Sequence, residues 1–394
     1  MRDDNDPEKQ RMKGQTEIKH TILQKYLRPW LYKITEVDDH IRYIDGFAGW
    51  GRYDDGSPGS PLLAMEVVSE NLNDGVGRLN SKLDTFNCTF IEKTHENYKS
   101  LSRAVATEEK NTPSQIVTDT QNREFTEFAY DFIAKHQDGV SPSFIFVDPF
   151  GFSGVPFSVV DDLINLRPKG IELFITFMSG KMARFKDSET HQVAIDEIMG
   201  TDSWRQEVDA ESRDERAEQF MRLYEQQLRS VADVEFVWPF EMKKEESRQT
   251  NYYLVHATNH YDGFKLMKDT MFRAGAEDQF AYLGPDHYRY ADSQTGLSDF
   301  DERDESNKRI QKLADFLHDV FADDKLRFGD VMRLTYEQTT LIEKHYRRAC
   351  KTLVEQDRAR IINRPALAEG TETGLNNDDR VRFIDHPGLD DFLD

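Results

Sequence analysis

The sequence predicts an α/β protein with a Rossmann-like, mostly parallel sheet, followed by a smaller winged-helix domain. Three observations lead to this prediction. Short β-branched and aromatic runs alternate with amphipathic helical segments between residues 41 and 176, as they do in βαβ units. The first run leads into a glycine-rich turn at residues 45–51, ahead of a helix. Beyond residue 308, three helical segments precede two short strands, which is the order of a winged helix.

The composition restricts the class of protein. The 394 residues include 51 basic and 73 acidic side chains, so the formal net charge is −22. This charge excludes a nucleic-acid-binding protein that is basic overall, but it permits a local basic patch. Acidity that is spread along the chain, with more arginine than lysine, favours a halophilic host. An ordinary acidic cytosolic protein is the alternative.

Other sequence features predict a cytoplasmic protein without metal or membrane contact. The N-terminal residues 1–15 are polar and lack the apolar core of a signal peptide, and we expect them to be disordered. No segment approaches the roughly 20 apolar residues that span a bilayer. The cysteines, Cys88 and Cys350, are too few and too far apart for a zinc cluster. His256 and His260 have the spacing of helical metal ligands but straddle the predicted end of a strand.

The N-terminal domain is predicted to span residues 16–285. Its first helix begins at Thr16 and carries Lys19 and His20, for which the periodicity alone favours a solvated edge. The short loop before the seventh strand permits an antiparallel final pair of strands. The seven predicted strands begin at Ile41 and continue at 84–93, 115–118, 143–147, 171–176, 234–240 and 251–258. The predicted helices between and after them are 60–70, 95–107, 122–136 and 156–165, a helical insertion at 178–232, and 264–272.

Acidic residues are predicted to end four strands in succession. These residues are Asp45, Glu92, Asp119 and Asp148. Ligands of open α/β sheets bind in the crevice at the carboxyl ends of the strands. Four acids at that edge, beside a glycine turn through which a backbone can approach a nucleoside, predict a cofactor site there.

These motifs resemble the class I S-adenosylmethionine-dependent methyltransferases, and more closely the three-Cys-motif partner protein (TcmP) family. The resemblance extends over nearly the whole chain. The Lys-His helix and the glycine turn are also similar to the bacterial ribosomal RNA adenine-N6 methyltransferases. The segments that carry the resemblance are Lys19-His20 with the Trp30 helix, residues 43–53, 56–61 and 146–151, Ala257-Thr258-Asn259-His260 and Met267-Lys268-Asp269-Thr270-Met271.

The resemblance implies S-adenosylmethionine as the cofactor and assigns roles to residues. Asp45, Gly49 and Gly51 would bind the methionine end, Glu92 the ribose and Asp119 the adenine edge. The full set implied for cofactor binding is Lys19, His20, Asp45, Gly46, Phe47, Gly49, Gly51, Tyr53, Glu92 and Asp119. The implied catalytic residues are Asp148, Pro149 and Phe150. The resemblance also implies a partner protein that bears a three-cysteine motif.

The sequence departs from the pattern of amino-methyltransferases after Asp148. Those enzymes follow the acid with two prolines and an aromatic ring that stacks on the flipped base. Here Phe150 stands at the second proline and Gly151 at the aromatic residue. Two functions therefore remain open. One is methylation of a nucleic-acid base, with the adenine amino group favoured. The other is a binding protein with a methyltransferase-like body that has lost its chemistry and docks nucleic acid or a partner protein through its winged helix.

The C-terminal winged-helix domain is predicted at residues 308–394, after an acidic linker at 286–307. Its recognition helix is predicted at 337–355. We expect this helix to contact RNA or DNA through four cations, Lys344, Arg347, Arg348 and Lys351. A solvated helix face of a protein–protein module is the alternative.

Overall fold

The computed structural model describes residues 14–73, 79, 82–149, 154–275, 280–283, 299–362 and 375–384, with side chains from residue 307 in the helix that begins at Asp299. Predictions for residues 1–13, for Phe150 and for most of the linker lie outside the described residues. The chain divides into two compact units, residues 1–288 and 289–394. The linker prediction is wrong for residues 299–307, because they lie in a helix.

The N-terminal unit alternates strands and helices as the sequence predicts. Its strands are β1 (His40–Asp45), β2 (Thr85–Ile91), β3 (Ile116–Gln121), β4 (Ser143–Val147), β5 (Ile171–Phe177), β6 (Phe236–Lys243), β7 (Thr250–Thr258) and β8 (Ala281–Tyr282). Its helices are α1 (Gly14–Ile34), α2 (Ser60–Asn73), α3 (His95–Glu108), α4 (Phe125–Lys135), α5 (Phe157–Asn165), α6 (Ser179–Phe185), α7 (Glu189–Met199), α8 (Trp204–Glu207), α9 (Arg213–Ser230) and α10 (Tyr261–Ala274).

Within the described residues, these eight strands form one sheet in the order β3-β2-β1-β4-β5-β7-β6-β8. The first five strands are parallel, and β7 runs antiparallel to both β5 and β6. The class I methyltransferase topology predicted from the sequence is therefore confirmed. Strand β8, which the sequence pattern does not predict, has only two residues and pairs parallel to β6.

Helices cover both faces of the sheet. Because side chains alternate along a strand, Tyr43 and Ile44 of β1 enter different cores. One core lies beneath α1, α2, α3 and α10, and the other lies beneath α4 to α9. Strands β4 and β5 are buried along their whole length, as expected for strands covered on both faces.

The C-terminal unit has the helix and strand order of a winged helix. Its elements are α11 (Asp299–Val320), β9 (Lys325–Arg327), α12 (Phe328–Thr335), α13 (Glu343–Glu355), β10 (Ala359–Ile361) and β11 (Arg380–Phe383). The strands form an antiparallel sheet in the order β10-β11-β9. The predicted recognition helix begins too early, because residues 336–338 form a separate 3-10 turn and α13 starts at Glu343. In the described part of the chain, no helix has the length and apolarity that crossing a membrane requires.

Candidate active site at the carboxyl ends of the strands

Three of the four predicted acids meet at one edge of the sheet. Asp45 is the last residue of β1, and Glu92 and Asp148 directly follow β2 and β4. Strand β1 lies between β2 and β4, so the three acids occupy neighbouring strand ends. The prediction that Asp119 ends the third strand is wrong. Strand β3 continues to Gln121, and Asp119 is exposed two residues earlier, where it accepts a hydrogen bond from Gln121 Nε2 at 2.6 Å.

The glycine turn leaves an opening beside these acids. Gly49 and Gly51 have φ angles of 64° and 85°, which L side chains rarely adopt. A Cβ placed on Gly49 would meet no atom within 4 Å, so a ligand can approach this backbone closely. Gly46 has a different role, because a Cβ there would lie 2.6 Å from the ring of Phe125. We conclude that Gly46 permits helix packing, whereas Gly49 faces open space.

Glu92 joins the glycine turn to the end of β2. Its Oε2 accepts a hydrogen bond from the Gly49 amide at 3.0 Å, and its Oε1 accepts one from the Thr94 amide at 2.7 Å. The residue is 7% exposed. A carboxylate offers about four lone-pair sites, so each oxygen of Glu92 retains one further site for a ligand hydroxyl.

Asp45 is fully buried, and only one of its oxygens has a hydrogen bond of good geometry. Its Oδ1 accepts a hydrogen bond from the Phe47 amide at 3.1 Å. The Tyr43 and Ser60 hydroxyls lie near the carboxylate, but no donor among the described residues has hydrogen-bonding geometry to Oδ2. Burial raises the pKa of Asp45 to about 7, although the Ser60 hydroxyl and the Phe47 amide act in the opposite direction. A buried carboxylate oxygen without a donor is unfavourable. The nearby Tyr43 hydroxyl or the ammonium group of a ligand can supply this donor.

Asp148 has two partners from different elements. Lys19 of α1 forms an ion pair with Oδ2, and Thr176 Oγ1 of β5 donates to Oδ1 at 2.6 Å. The side chains of Lys19 and Asp148 are 10% and 14% exposed. The expectation of a solvated edge at Lys19 and His20 is therefore wrong, since both residues are buried. Helix α1 instead contributes to the site directly.

His20 and Tyr53 lie near Asp148, whose charge acts on the pKa of both residues. Their ring centroids are 6.1 Å apart. Burial and the charge of Lys19 lower the pKa of His20 to about 4, although Asp148 acts in the opposite direction, so the imidazole is neutral near pH 7. Burial raises the pKa of Tyr53 to about 12, so the phenol keeps its proton. Both rings can therefore offer uncharged hydrogen-bonding groups to a ligand.

A buried polar network fixes α1 to the sheet. Glu172 of β5 accepts hydrogen bonds from Tyr26 Oη, from Trp30 Nε1 at 2.9 Å and from His256 Nε2 at 2.8 Å. Burial opposes ionisation of Glu172, but these donors outweigh burial and hold its pKa below the usual range. Because Tyr26 and Trp30 lie on the same helix as Lys19, the network fixes the position from which Lys19 reaches Asp148.

This network also accounts for His256, one of the two histidines with metal-ligand spacing. Across the described residues, no group of three His, Cys, Asp or Glu side chains is arranged to hold a metal ion.

An apolar depression lies beside Asp148 on the side of β5. Thr176 belongs to both features, because it lines the depression and donates to Asp148. The other lining residues are Pro149, Gly154, Val155, Val160, Ile175, Phe177, Met178, Met182, Ile198 and Tyr224. The position predicted for the stacking ring, Phe150, lies outside the described residues. Most of the lining side chains belong to the buried core on this face of the sheet, so the depression is a small gap at the edge of that core.

Two residues of the site, Thr176 and Glu172, were not predicted from the sequence. Both are polar residues within the apolar run Ile171–Phe177. A polar group inside a strand that is buried on both faces needs a hydrogen-bond partner. This requirement is the sequence feature from which both residues could have been predicted to belong to a polar site.

The cations of α13 have partners of their own. Arg347 pairs with Glu343, and its guanidinium lies 5.0 Å from the ring centroid of Phe328. Arg348 Nη2 donates to Asn307 Oδ1 at 2.6 Å, and Lys351 Nζ lies 3.9 Å from Glu355.

Residues 288–366 match the family model for the GMT-like wHTH domain. A search of curated proteins found no similar sequence.

Among solved structures, the chain is similar to an O-methyltransferase from Bacillus cereus in complex with SAH. The two share 11% identity and a TM-score of 0.31 over 60% of this chain and 80% of that one. It is also similar to Trm1 from Pyrococcus horikoshii with S-adenosyl-L-methionine, with 10% identity and a TM-score of 0.36 over 66% of this chain and 58% of that one. A third similar structure, protein LPL1258 from Legionella pneumophila, has 12% identity and a TM-score of 0.37 over 67% of this chain and 94% of that one. The strand order and the family match together establish a Rossmann-like methyltransferase fold followed by a C-terminal winged helix-turn-helix domain.

Proposed function

We propose that this protein is an S-adenosylmethionine-dependent methyltransferase that acts on a nucleic-acid base, with the amino group of adenine as the preferred acceptor. One observation carries the cofactor assignment. No described donor has hydrogen-bonding geometry to the buried Oδ2 of Asp45, which belongs to the same turn as Gly49, whose backbone faces open space. A ligand with an ammonium group and a nucleoside satisfies both features.

The residues of the site fit the parts of this cofactor. Asp45 would accept a hydrogen bond from the ammonium of the methionine end, and the Gly49 backbone would lie against the ligand. Glu92 would use its two remaining lone-pair sites for the ribose hydroxyls. Bound there, S-adenosylmethionine supplies an electrophilic methyl group.

The acceptor would bind at Asp148, next to the apolar depression. The Asp148 carboxylate and the Pro149 carbonyl would accept the hydrogens of an exocyclic amine and so hold it in line for attack. The flat face of the base would pack against Pro149, the lining residue next to Asp148. Lys19 and Thr176 hold the carboxylate in position. Asp119, which lies two residues before the end of β3, would contact the adenine edge through its exposed carboxylate.

The proposed binding partners, a nucleic acid and a second protein, are suggested by the winged-helix unit and by the family resemblance. We propose that the winged-helix unit brings the nucleic acid to the site, and that a protein with a three-cysteine motif acts together with this chain. The cations of α13, which are Lys344, Arg347, Arg348 and Lys351, would contribute to nucleic-acid binding.

A second candidate function is a methyltransferase-like binding protein without chemistry. The observation that favours it is that both oxygens of Asp148 already have partners, Lys19 and Thr176. If these contacts persist when a substrate is present, the carboxylate has fewer lone pairs for an amine.

Two measurements separate these functions. Calorimetric titration with S-adenosylhomocysteine should show binding to the wild type and weakened binding to Asp45→Asn. Asp54→Asn, an exposed position in the same loop, is the control and should bind normally. Transfer of labelled methyl groups to RNA or DNA should then be lost in Asp148→Asn while cofactor binding persists. Binding without transfer by the wild type, with the three-cysteine partner present, would favour the second function. No binding at all would exclude the cofactor assignment.

A further inference from the structure

Four cations lie together at the edge of the sheet that carries the candidate active site. Lys181 and Arg184 belong to α6, and Arg213 is the first residue of α9. Lys244 directly follows β6, in the hairpin that leads into β7. We call these four side chains the cation cluster.

Contacts between α6, α9 and the hairpin hold the cation cluster together. Arg213 donates to the Gly180 carbonyl oxygen from Nε at 3.2 Å and from Nη2 at 2.8 Å, which fixes the start of α9 to α6. A Cβ on Gly180 would overlap the Thr250 carbonyl oxygen, so α6 packs directly against the first residue of β7. The Lys244 amide donates to the Gln249 carbonyl oxygen at 2.9 Å, which closes the hairpin beside Thr250. The hairpin therefore lies beside α6.

The cation cluster lies close to Asp148. Thr176, which donates to Asp148, lies near the end of β5, just before α6. Met182 of α6 and Pro149 line the same depression. In β7, burial and the charge of Asp148 raise the pKa of Tyr252. The elements that carry the cluster therefore border the position proposed for the acceptor.

The cation cluster has no ion-pair partner among the described residues. Acids that are near it in the sequence have other cations as partners. Asp187 Oδ2 lies 3.6 Å from Arg216 Nη1, and Glu241 Oε2 lies 3.4 Å from Lys243 Nζ. In a chain with 73 acidic and 51 basic side chains, four neighbouring cations without an ion pair require an explanation.

Fold stability does not provide this explanation. Burial lowers the pKa of Lys181, and the charge of Lys244 acts in the same direction. Burial also lowers the pKa of Lys244, as do the charges of Arg213 and Arg184. Asp214 acts in the opposite direction, but only on Arg213. Because like charges repel each other, an anion bound among these cations would supply the missing counter-charge.

We propose that the cation cluster binds a phosphodiester group of the nucleic-acid strand that carries the acceptor base. The planar guanidinium group of Arg184 matches the oxygens of a phosphate, and Lys181 and Lys244 add point charges. Arg213 uses Nε and Nη2 for the Gly180 carbonyl, which leaves Nη1 for the phosphate.

The position of the cation cluster suits this role. A base that enters a catalytic pocket is turned out of its stack but stays attached to its backbone, so the phosphates beside it lie near the pocket. The four side chains include no amide or carboxylate that distinguishes base edges. The cluster should therefore position the strand without reading its sequence.

The experiment compares two triple variants with the same change in charge. The cluster variant keeps Arg213, which holds α6, and changes the other three cations: Lys181→Gln, Arg184→Gln and Lys244→Gln. The matched control changes three exposed lysines in the connections that lead into β3, β4 and β5, at the opposite edge of the sheet: Lys110→Gln, Lys135→Gln and Lys169→Gln.

Fluorescence anisotropy of the full chain with a labelled single strand of about 12 nucleotides, at several salt concentrations, gives the affinity and its salt dependence. Each phosphate contact contributes about 0.7 to the log–log slope of a single strand, so the cluster variant should flatten the slope by about 1 to 2. Its affinity should fall by about tenfold. The matched control should keep the affinity and the slope of the wild type.

A strand of the same sequence with an uncharged methylphosphonate backbone separates phosphate contacts from base contacts. The wild type and the cluster variant should bind this strand equally weakly. The proposal is overturned if the uncharged strand still distinguishes the two proteins, or if the matched control loses as much affinity for the charged strand as the cluster variant. Competition by polyglutamate at the same concentration as the strand would also overturn it.

A fold check keeps the proposal falsifiable. Removing like charges should leave the melting temperature of the cluster variant equal to or above that of the wild type. If the cluster variant unfolds, the charge-conserving variant Lys181→Arg, Arg184→Lys and Lys244→Arg is the replacement test. It should keep both affinity and slope, and a lost slope would overturn the proposal.

This inference deepens the proposed function, on which it rests for the choice of a phosphodiester as the anion. Strand binding is measured without cofactor, so it is independent of methyl transfer. Weakened strand binding by the cluster variant, with no methyl transfer by the wild type, would count against the proposed chemistry alone. Methyl transfer by the wild type, with undiminished strand binding by the cluster variant, would count against the cation cluster alone.

Discussion

Lys19, in the first helix of the chain, forms an ion pair with Asp148, which follows the fourth strand 129 residues later. Both side chains are mostly buried, and Thr176 holds the other carboxylate oxygen at 2.6 Å. A carboxylate that is withdrawn from water keeps its position only if its lone pairs have donors. Helix α1 therefore belongs to the candidate active site.

We expect Lys19→Met to destabilise the protein by about 1.5–3 kcal/mol, the range for losing a hydrogen bond to a charged group. Methionine keeps most of the side-chain length, so the loss reflects the charge and its donors. Urea unfolding measures this change. Lys25→Met, at an exposed position of the same helix, should stay near the wild type. Equal effects of Lys19→Met in the wild type and in Asp148→Asn would show that the pair is not coupled.

We expect the affinity for S-adenosylhomocysteine to fall as the pH drops below about 7. Asp45 has a pKa raised to about 7, and only its ionised form can pair with the ligand ammonium. The affinity should therefore reach a plateau above pH 7 and weaken by up to tenfold per pH unit well below it. His20, with a pKa of about 4, does not titrate in this range.

Calorimetry between pH 5.5 and 7.5 checks this expectation, with Asp45→Asn as the variant that removes the titrating group. In Asp45→Asn the affinity should be weaker and nearly independent of pH. A wild-type affinity that stays constant over this range would contradict the assignment.

The raised pKa of Asp45 also affects the stability of the unliganded protein. Stability should fall as the pH increases from about 4 to 7, because over this range the folded state holds a proton on Asp45 that the unfolded state has lost.

The strands of the sheet could be predicted because their apolar runs are interrupted by turns and amphipathic helices. The glycine turn and the acids Asp45, Glu92 and Asp148 follow from the same pattern, since a strand end can be located to within a residue or two. Asp119 shows the limit of this method. The apolar run stops there and so predicts the strand end at Asp119, but pairing with β2 extends β3 through polar residues to Gln121.

The contacts of the site depend on tertiary packing, which a local pattern does not contain. Periodicity assigned Lys19 to a solvated edge, because a lysine at a helix boundary normally reaches water. Its burial results from the way the Glu172 network holds α1 on the sheet.

We expect Glu92→Ala to weaken S-adenosylhomocysteine binding by about 1.5–3 kcal/mol. The loss has two sources, the missing acceptor for ribose hydroxyls and the release of the Gly49 amide that Glu92 holds at 3.0 Å. Glu96→Ala, at an exposed position nearby, is the control and should bind normally. Titration with adenosine alone separates the ligand parts. If Glu92→Ala reduces the affinity for the whole ligand but not for adenosine, Glu92 does not bind the ribose.

The last prediction concerns the network that positions α1. Tyr26→Phe removes only the hydroxyl that donates to Glu172, and it leaves the ring packed against Phe144 at a centroid distance of 5.3 Å. Glu172 is buried, so the lost donor is not replaced by bulk water. We expect the free energy of unfolding to fall by about 1.5–3 kcal/mol in urea titrations.

The effect of this change should depend on pH. The pKa of Glu172 is held below its usual range, so the network stabilises the fold above pH 4.5. Its contribution is lost as the pH falls through the folded pKa. The difference between Tyr26→Phe and the wild type should therefore shrink in acid. Tyr130→Phe, at a tyrosine that is 51% exposed, should match the wild type at every pH. A Tyr26→Phe protein as stable as the wild type at pH 7 would mean that Trp30 and His256 satisfy Glu172 without it.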